Sequence, residues 1–124
     1  MTRIGFYFFV TCLLIAGLAW GALQSVPPIP KLFHQQDKLE HLLAFGALTL
    51  WLTAMLKPSR WMLAALISAF GAVGLETAQA AFSPARTASG ADVLASLIGI
   101  TLATAFVLTA RKTLRGSAPP PCAA

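Results

Sequence analysis

The chain reads as four long apolar runs separated by short polar or proline-bearing breaks. A membrane-spanning helix needs about 20 mostly apolar residues, roughly 17–25, and each run comes close. The first covers about 5–25, with Arg3 before it and Val26-Pro27-Pro28-Ile29-Pro30 after it. The second, about 38–56, opens at Asp37 and stops at Lys57-Pro58-Ser59-Arg60. The third, 61–82, is interrupted by Glu76 and Gln79, and the fourth, 91–110, precedes Arg111-Lys112. The pattern predicts an all-α integral membrane protein, a compact bundle of four transmembrane helices. Residues 1–115 form one such domain. The Pro/Ala-rich tail 116–124 is expected to be disordered and cytoplasmic. The first run exceeds the roughly 7–15 residues of a signal-peptide core, so it is read as a retained span.

Composition sharpens this. Of 124 residues, 57% are hydrophobic and 10% charged, against about 25% charged in a soluble domain. Disorder needs the opposite balance. No room is left for a separate soluble catalytic domain, so any chemistry sits on the helices or their connections. Cys12 and Cys122 make neither a metal pair nor a disulfide framework. The ending Pro-Cys-Ala-Ala is one residue short of a prenylation box.

The net charge is +5. No basic run with interleaved aromatics suggests nucleic acid, and basic residues that flank spans face anionic lipid instead. A cytoplasmic N-terminus puts six basic residues inside: Arg3, Lys57, Arg60, Arg111, Lys112 and Arg115. Three fall outside: Lys31, Lys38 and Arg86. The positive-inside rule therefore predicts both termini in the cytoplasm.

The acids are distributed the other way. Asp37, Glu40, Glu76 and Asp92 are the only four, and this topology puts all of them at the outer end. Glu76 stands about 22 Å along its helix from Trp61, at 1.5 Å per residue. Ionisable groups inside a span are costly and by default mark function. Asp37 and His41 share a face at i, i+4, as do Glu76 and Gln79 at i, i+3. Asp92, Ser96, Gly99 and Ala103 form a polar-to-small stripe suited to tight packing. The expected site is a polar pocket of Asp37, Lys38, His41, Glu76, Gln79, Arg86, Asp92 and Ser96 below the outer surface. Each member has a plainer reading: Asp37 and Asp92 as helix caps, Glu76 as a partner of Arg86. Gly17-x-x-x-Gly21 predicts close helix approach and leaves a homo-oligomer open.

The residues also resemble the VanZ-like membrane proteins. The resemblance lies in Asp37-Lys38-Leu39-Glu40-His41, Glu76-Thr77-Ala78-Gln79, Arg86 and Asp92-Val93-Leu94-Ala95-Ser96-Leu97-Ile98-Gly99, in that order. It covers Asp37 to Gly99. Ser96 stands where the family pattern has Asn, and Phe45 where many members have Tyr. The resemblance implies a small protein of the bacterial inner (cytoplasmic) membrane and a link to glycopeptide (teicoplanin) resistance. It supplies no reaction.

Three readings follow. The pocket binds a lipid headgroup or lipid-linked cell-wall precursor, with Arg86 and Lys38 on phosphate or carboxylate. Alternatively, a membrane hydrolase or transferase acts on lipid, with His41 and Glu76 as catalytic candidates. Or the polar set only knits the helices. The partners expected are membrane lipids, with no nucleic acid. No cofactor is expected. A metal on Asp37, His41, Glu76 and Asp92 lacks any linear spacing signature, and none is expected.

Overall fold

Three stripes of small and apolar residues decide how the helices meet. On the second helix the inward face is Phe45, Leu48, Thr49, Leu52 and Thr53; on the third it is Ala64, Ser68 and Ala72; on the fourth, Ala95, Ser96, Gly99, Ile100 and Ala103. Each repeats at three- and four-residue spacing, which is one face of an α-helix. The computed structural model describes residues 2–24, 30–83 and 87–117. It contains α1 (Arg3–Leu23), α2 (Gln36–Met55), a 3-10 turn (Pro58–Arg60), α3 (Trp61–Phe82) and α4 (Gly90–Gly116). Every described element is helical, and α1, the turn with α3, and α4 are long and apolar enough to cross a membrane.

The predicted boundaries hold closely for α3. Helix α1 starts earlier than predicted and ends at Leu23, and Ser25 lies outside the described residues. Helix α4 continues past Ala110 through Arg111, Lys112 and Arg115. Long basic side chains are good helix formers, and cations suit a helix C-terminus. The tail 118–124, with its expected disorder and Cys122, lies outside the described residues. Helix α2 is too polar at its start to count with the other three. Any 18-residue window of it includes Lys38, Glu40 and His41.

Helix direction follows from the side-chain bonds. Trp51 Nε1, late in α2, donates to Thr11 Oγ1 of α1 at 3.0 Å, and the Tyr7 and Trp51 rings lie 5.8 Å apart. Gln79 and Ser83, at the end of α3, donate to the carbonyls of Ala22 (2.8 Å) and Leu23 (3.0 Å), at the end of α1. Arg111 of α4 donates to the carbonyls of Thr53 at 3.2 Å and Pro58 at 2.9 Å. So α1 and α3 run one way, α2 and α4 the other. These bonds also satisfy helix-end carbonyls that lack partners within their own helices.

The seam between α2 and α4 is the most extensive contact. It closes backbone on backbone. A Cβ built on Gly46 would stand 3.3 Å from the Gly99 oxygen, and one on Gly99 would overlap the Leu42 carbonyl, 2.9 Å from its carbon. The predicted close approach at Gly17 and Gly21 is not found: nothing lies within 4 Å of a Cβ at either. The glycine pair that matters sits on different helices.

Hydroxyls in this apolar setting bond back to their own helix. Thr49 donates to Phe45 O at 2.7 Å and Ser96 to Asp92 O at 2.9 Å, as buried hydroxyls must find partners. Ser68 Oγ is buried without one among the described residues, and nothing in the structure explains it. Large apolar side chains cover the outside. Phe70 is 77% exposed and Phe106 68%, and α1 buries no residue at all. Soluble monomers rarely show apolar faces this continuous. With three apolar helices of membrane length, this points to a membrane protein.

Candidate functional site

Each inward stripe ends, at the same end of the bundle, on a titratable residue. Phe45 leads back four residues to His41, Ala72 forward four to Glu76, and Ser96 back four to Asp92. A four-residue step stays on one helix face, so the packing that buries the core also gathers these three. One ligand atom from each lies within 4.8 Å of the others. Glu76 is buried, 8% exposed, while His41 and Asp92 are half-buried.

The start of α4 explains why Asp92 turns inward. Ser89 caps the helix, its Oγ accepting from Ala91 N at 3.2 Å. In Ser-x-x-Asp the acid commonly reaches back to the cap's own N–H, as in a capping box. Here Glu76 Oε1 takes the Ser89 N–H instead, through a short hydrogen bond. Asp92 is thus in the first turn but is not the cap, and its carboxylate faces His41 and Glu76. Asp37 is not a cap either: Gln35 holds that position in α2, without a side-chain capping bond.

Other predicted site residues are engaged elsewhere. Asp37 Oδ2 pairs with Lys31 Nζ at 2.6 Å, a half-exposed ion pair, and it stands outside the three-residue group. Lys38 donates to Gln35 Oε1 at 2.6 Å. Gln79 holds the end of α1, though it still lines the cleft beside the site. Ser96 is 2% exposed and spends its hydroxyl on its own helix. Arg86, and with it the predicted Glu76–Arg86 pairing, lies outside the described residues. Sequence reading missed Gln36. It is buried, accepts from Leu32 N at 2.7 Å, and donates to Glu40 Oε1 at 2.8 Å and Pro30 O at 3.4 Å. The signal was its i, i+4 spacing to Glu40 just before an apolar run.

A cleft of about 390 Å³ opens on the site, between Gly17, Leu18 and Gly21 of α1 and Asp37, Glu40, His41, Gln79 and Asp92. A second recess of about 540 Å³ adjoins it and adds His34 and Lys38. The two share Lys31, Asp37, Thr87 and Asp92. Small-molecule sites fall in this range, roughly 300–1,000 Å³. One wall is apolar and glycine-lined, the other charged, and a recess carrying Lys31, Lys38, Asp37 and Asp92 lies beside them.

No protein-family model, curated protein or solved structure matches the chain.

Proposed function

We propose that the chain is a VanZ-like protein of the bacterial cytoplasmic membrane whose outward cleft receives a lipid headgroup or a lipid-linked cell-wall precursor. It spans the membrane four times, with α2 as the fourth span and both termini cytoplasmic. The observation that carries the binding reading is the two-sided cleft. Gly17, Leu18 and Gly21 suit the first carbons of an acyl or isoprenoid chain. Lys31 and Lys38 would turn from Asp37 and Gln35 to a phosphate. His41 and Asp92, which line the cleft, suit the donor-rich end of a headgroup. Arg86, which follows α3 in sequence, is assigned to the anionic part of the ligand. A link to teicoplanin resistance comes with the family resemblance alone.

The enzyme reading is weaker, because the obvious hydroxyl, Ser96, is buried and bonded into α4. The purely structural reading predicts polar groups closed onto one another, whereas Asp92 makes no hydrogen bond with His41 or Glu76 among the described residues.

The binding test fills the cleft without touching the charges. Gly21→Leu adds bulk where no heavy atom lies within 4 Å. In purified protein, retention of labelled phospholipid or lipid-linked precursor is expected to fall at least tenfold, with an unchanged thermal midpoint. Equal retention, or no lipid preference in the wild type, would refute the reading. Topology is checked separately. A C-terminal fluorescent fusion should glow in the cytoplasm, and a cysteine introduced at His34 should react with an impermeant thiol reagent from the outer side. Protection of that cysteine in intact cells would reverse the orientation.

A further inference from the structure

The geometry points to a divalent transition-metal site of the zinc type, formed by His41, Glu76 and Asp92. The three groups come from three helices and offer one nitrogen and two oxygens within 4.8 Å of one another. They do not bond to each other: no ion pair within 4.0 Å joins His41 to either carboxylate. A cluster built only to lock helices would close to roughly 2.7–3.2 Å. This one leaves its donor atoms up to 4.8 Å apart.

Two further observations favour a cation there. His41 Nδ1 is sealed from solvent and has no hydrogen-bond partner among the described residues. Such a nitrogen is costly to bury unpaired and is a good ligand for zinc. Glu76 is held by Ser89 N–H through Oε1 alone, which orients the carboxylate from behind, as outer partners orient metal ligands. Two carboxylates this close in an apolar bundle repel, and a dication offsets that repulsion.

One imidazole and two carboxylates match known zinc ligand types, with metal–ligand distances of about 2.0–2.2 Å. Around a tetrahedral ion the donor atoms stand roughly 3.4 Å apart. The three side chains must therefore close by roughly 1 Å, a displacement that side-chain torsions supply. The remaining coordination position faces the cleft, which shares His41 and Asp92 in its lining. Three protein ligands and one open position is the arrangement of zinc sites that bind or activate a further group. An imidazole in the set selects against magnesium, which takes oxygen ligands. The site does not depend on the lipid reading.

The test uses the full chain, purified with chelator in lipid-free detergent. Equilibrium dialysis with Zn²⁺ should give one ion per chain, and Co²⁺ should give a visible absorption band from a low-symmetry site. His41→Ala and Asp92→Asn should each weaken binding at least tenfold, as loss of a direct ligand requires, while Cys12→Ala, at an exposed thiol away from the site, leaves it unchanged. Zn²⁺ should raise the thermal midpoint of the wild type and not of Asp92→Asn, which keeps the shape of the side chain. The proposal is overturned by substoichiometric zinc in the wild type, by equal binding in Asp92→Asn, or by Mg²⁺ competing at equal concentration. Metal binding without lipid retention would leave this site standing and remove the headgroup reading.

Discussion

Alanine at Gly99 is expected to lower the thermal midpoint by roughly 10 °C or more, while alanine at Gly17 or Gly21 leaves it nearly unchanged. The added methyl at Gly99 meets backbone, the Leu42 carbonyl, and backbone cannot turn aside as a side chain can. Overpacking usually costs about 1–3 kcal/mol, and a clash between two main chains belongs at or above the upper end. In a domain of this size about 1 kcal/mol moves the midpoint by several degrees. At Gly17 and Gly21 the new methyl enters open space, and alanine is the better helix former. Thermal unfolding of the three variants in one detergent decides it. A Gly99→Ala midpoint within a few degrees of wild type would mean that the α2–α4 seam is not the close contact described.

The second large effect separates two jobs of Glu76. Glu76→Leu removes the acceptor for Ser89 N–H and leaves a donor unpaired at the start of α4. Such a loss costs about 1–3 kcal/mol, and the first turn of α4 should show faster amide hydrogen exchange. Glu76→Gln keeps a carbonyl oxygen in the same place. It should hold the midpoint and the exchange rate while weakening zinc binding, since an amide is a poorer ligand than a carboxylate. Equal stability of Glu76→Leu and wild type would show that the Ser89 bond does not anchor α4.

Much of this was legible before any coordinates. Helix number and order follow from the apolar runs, and the stripe Asp92, Ser96, Gly99, Ala103 foretold the tight side of α4. The convergence of His41, Glu76 and Asp92 follows from the same four-residue arithmetic. What stayed hidden depends on pairs of helices. Gly17-x-x-x-Gly21 has the spacing of a packing motif, but spacing cannot say whether a partner lies opposite, and none does. Gly46 and Gly99 are single glycines on two helices, so no linear motif announces them. Asp37 was grouped with the site by its i, i+4 spacing to His41, and Lys38 by its place beside them, yet short-range bonds to Lys31 and Gln35 occupy them. Asp92 looked like a cap because the competing cap, Ser89, becomes evident only when Glu76 takes its N–H.

The α2–α4 seam also sets an order of events during synthesis. Helix α2 carries its polar start into the bundle and makes its main contact with α4, which is made only after α3. In a bilayer it therefore lacks its principal partner while α3 is being made. Nascent chains that end before Gly90 should hold α2 loosely, and completion of α4 should lock it into the bundle. A truncation that removes α4 removes more than one helix, because it strands α2.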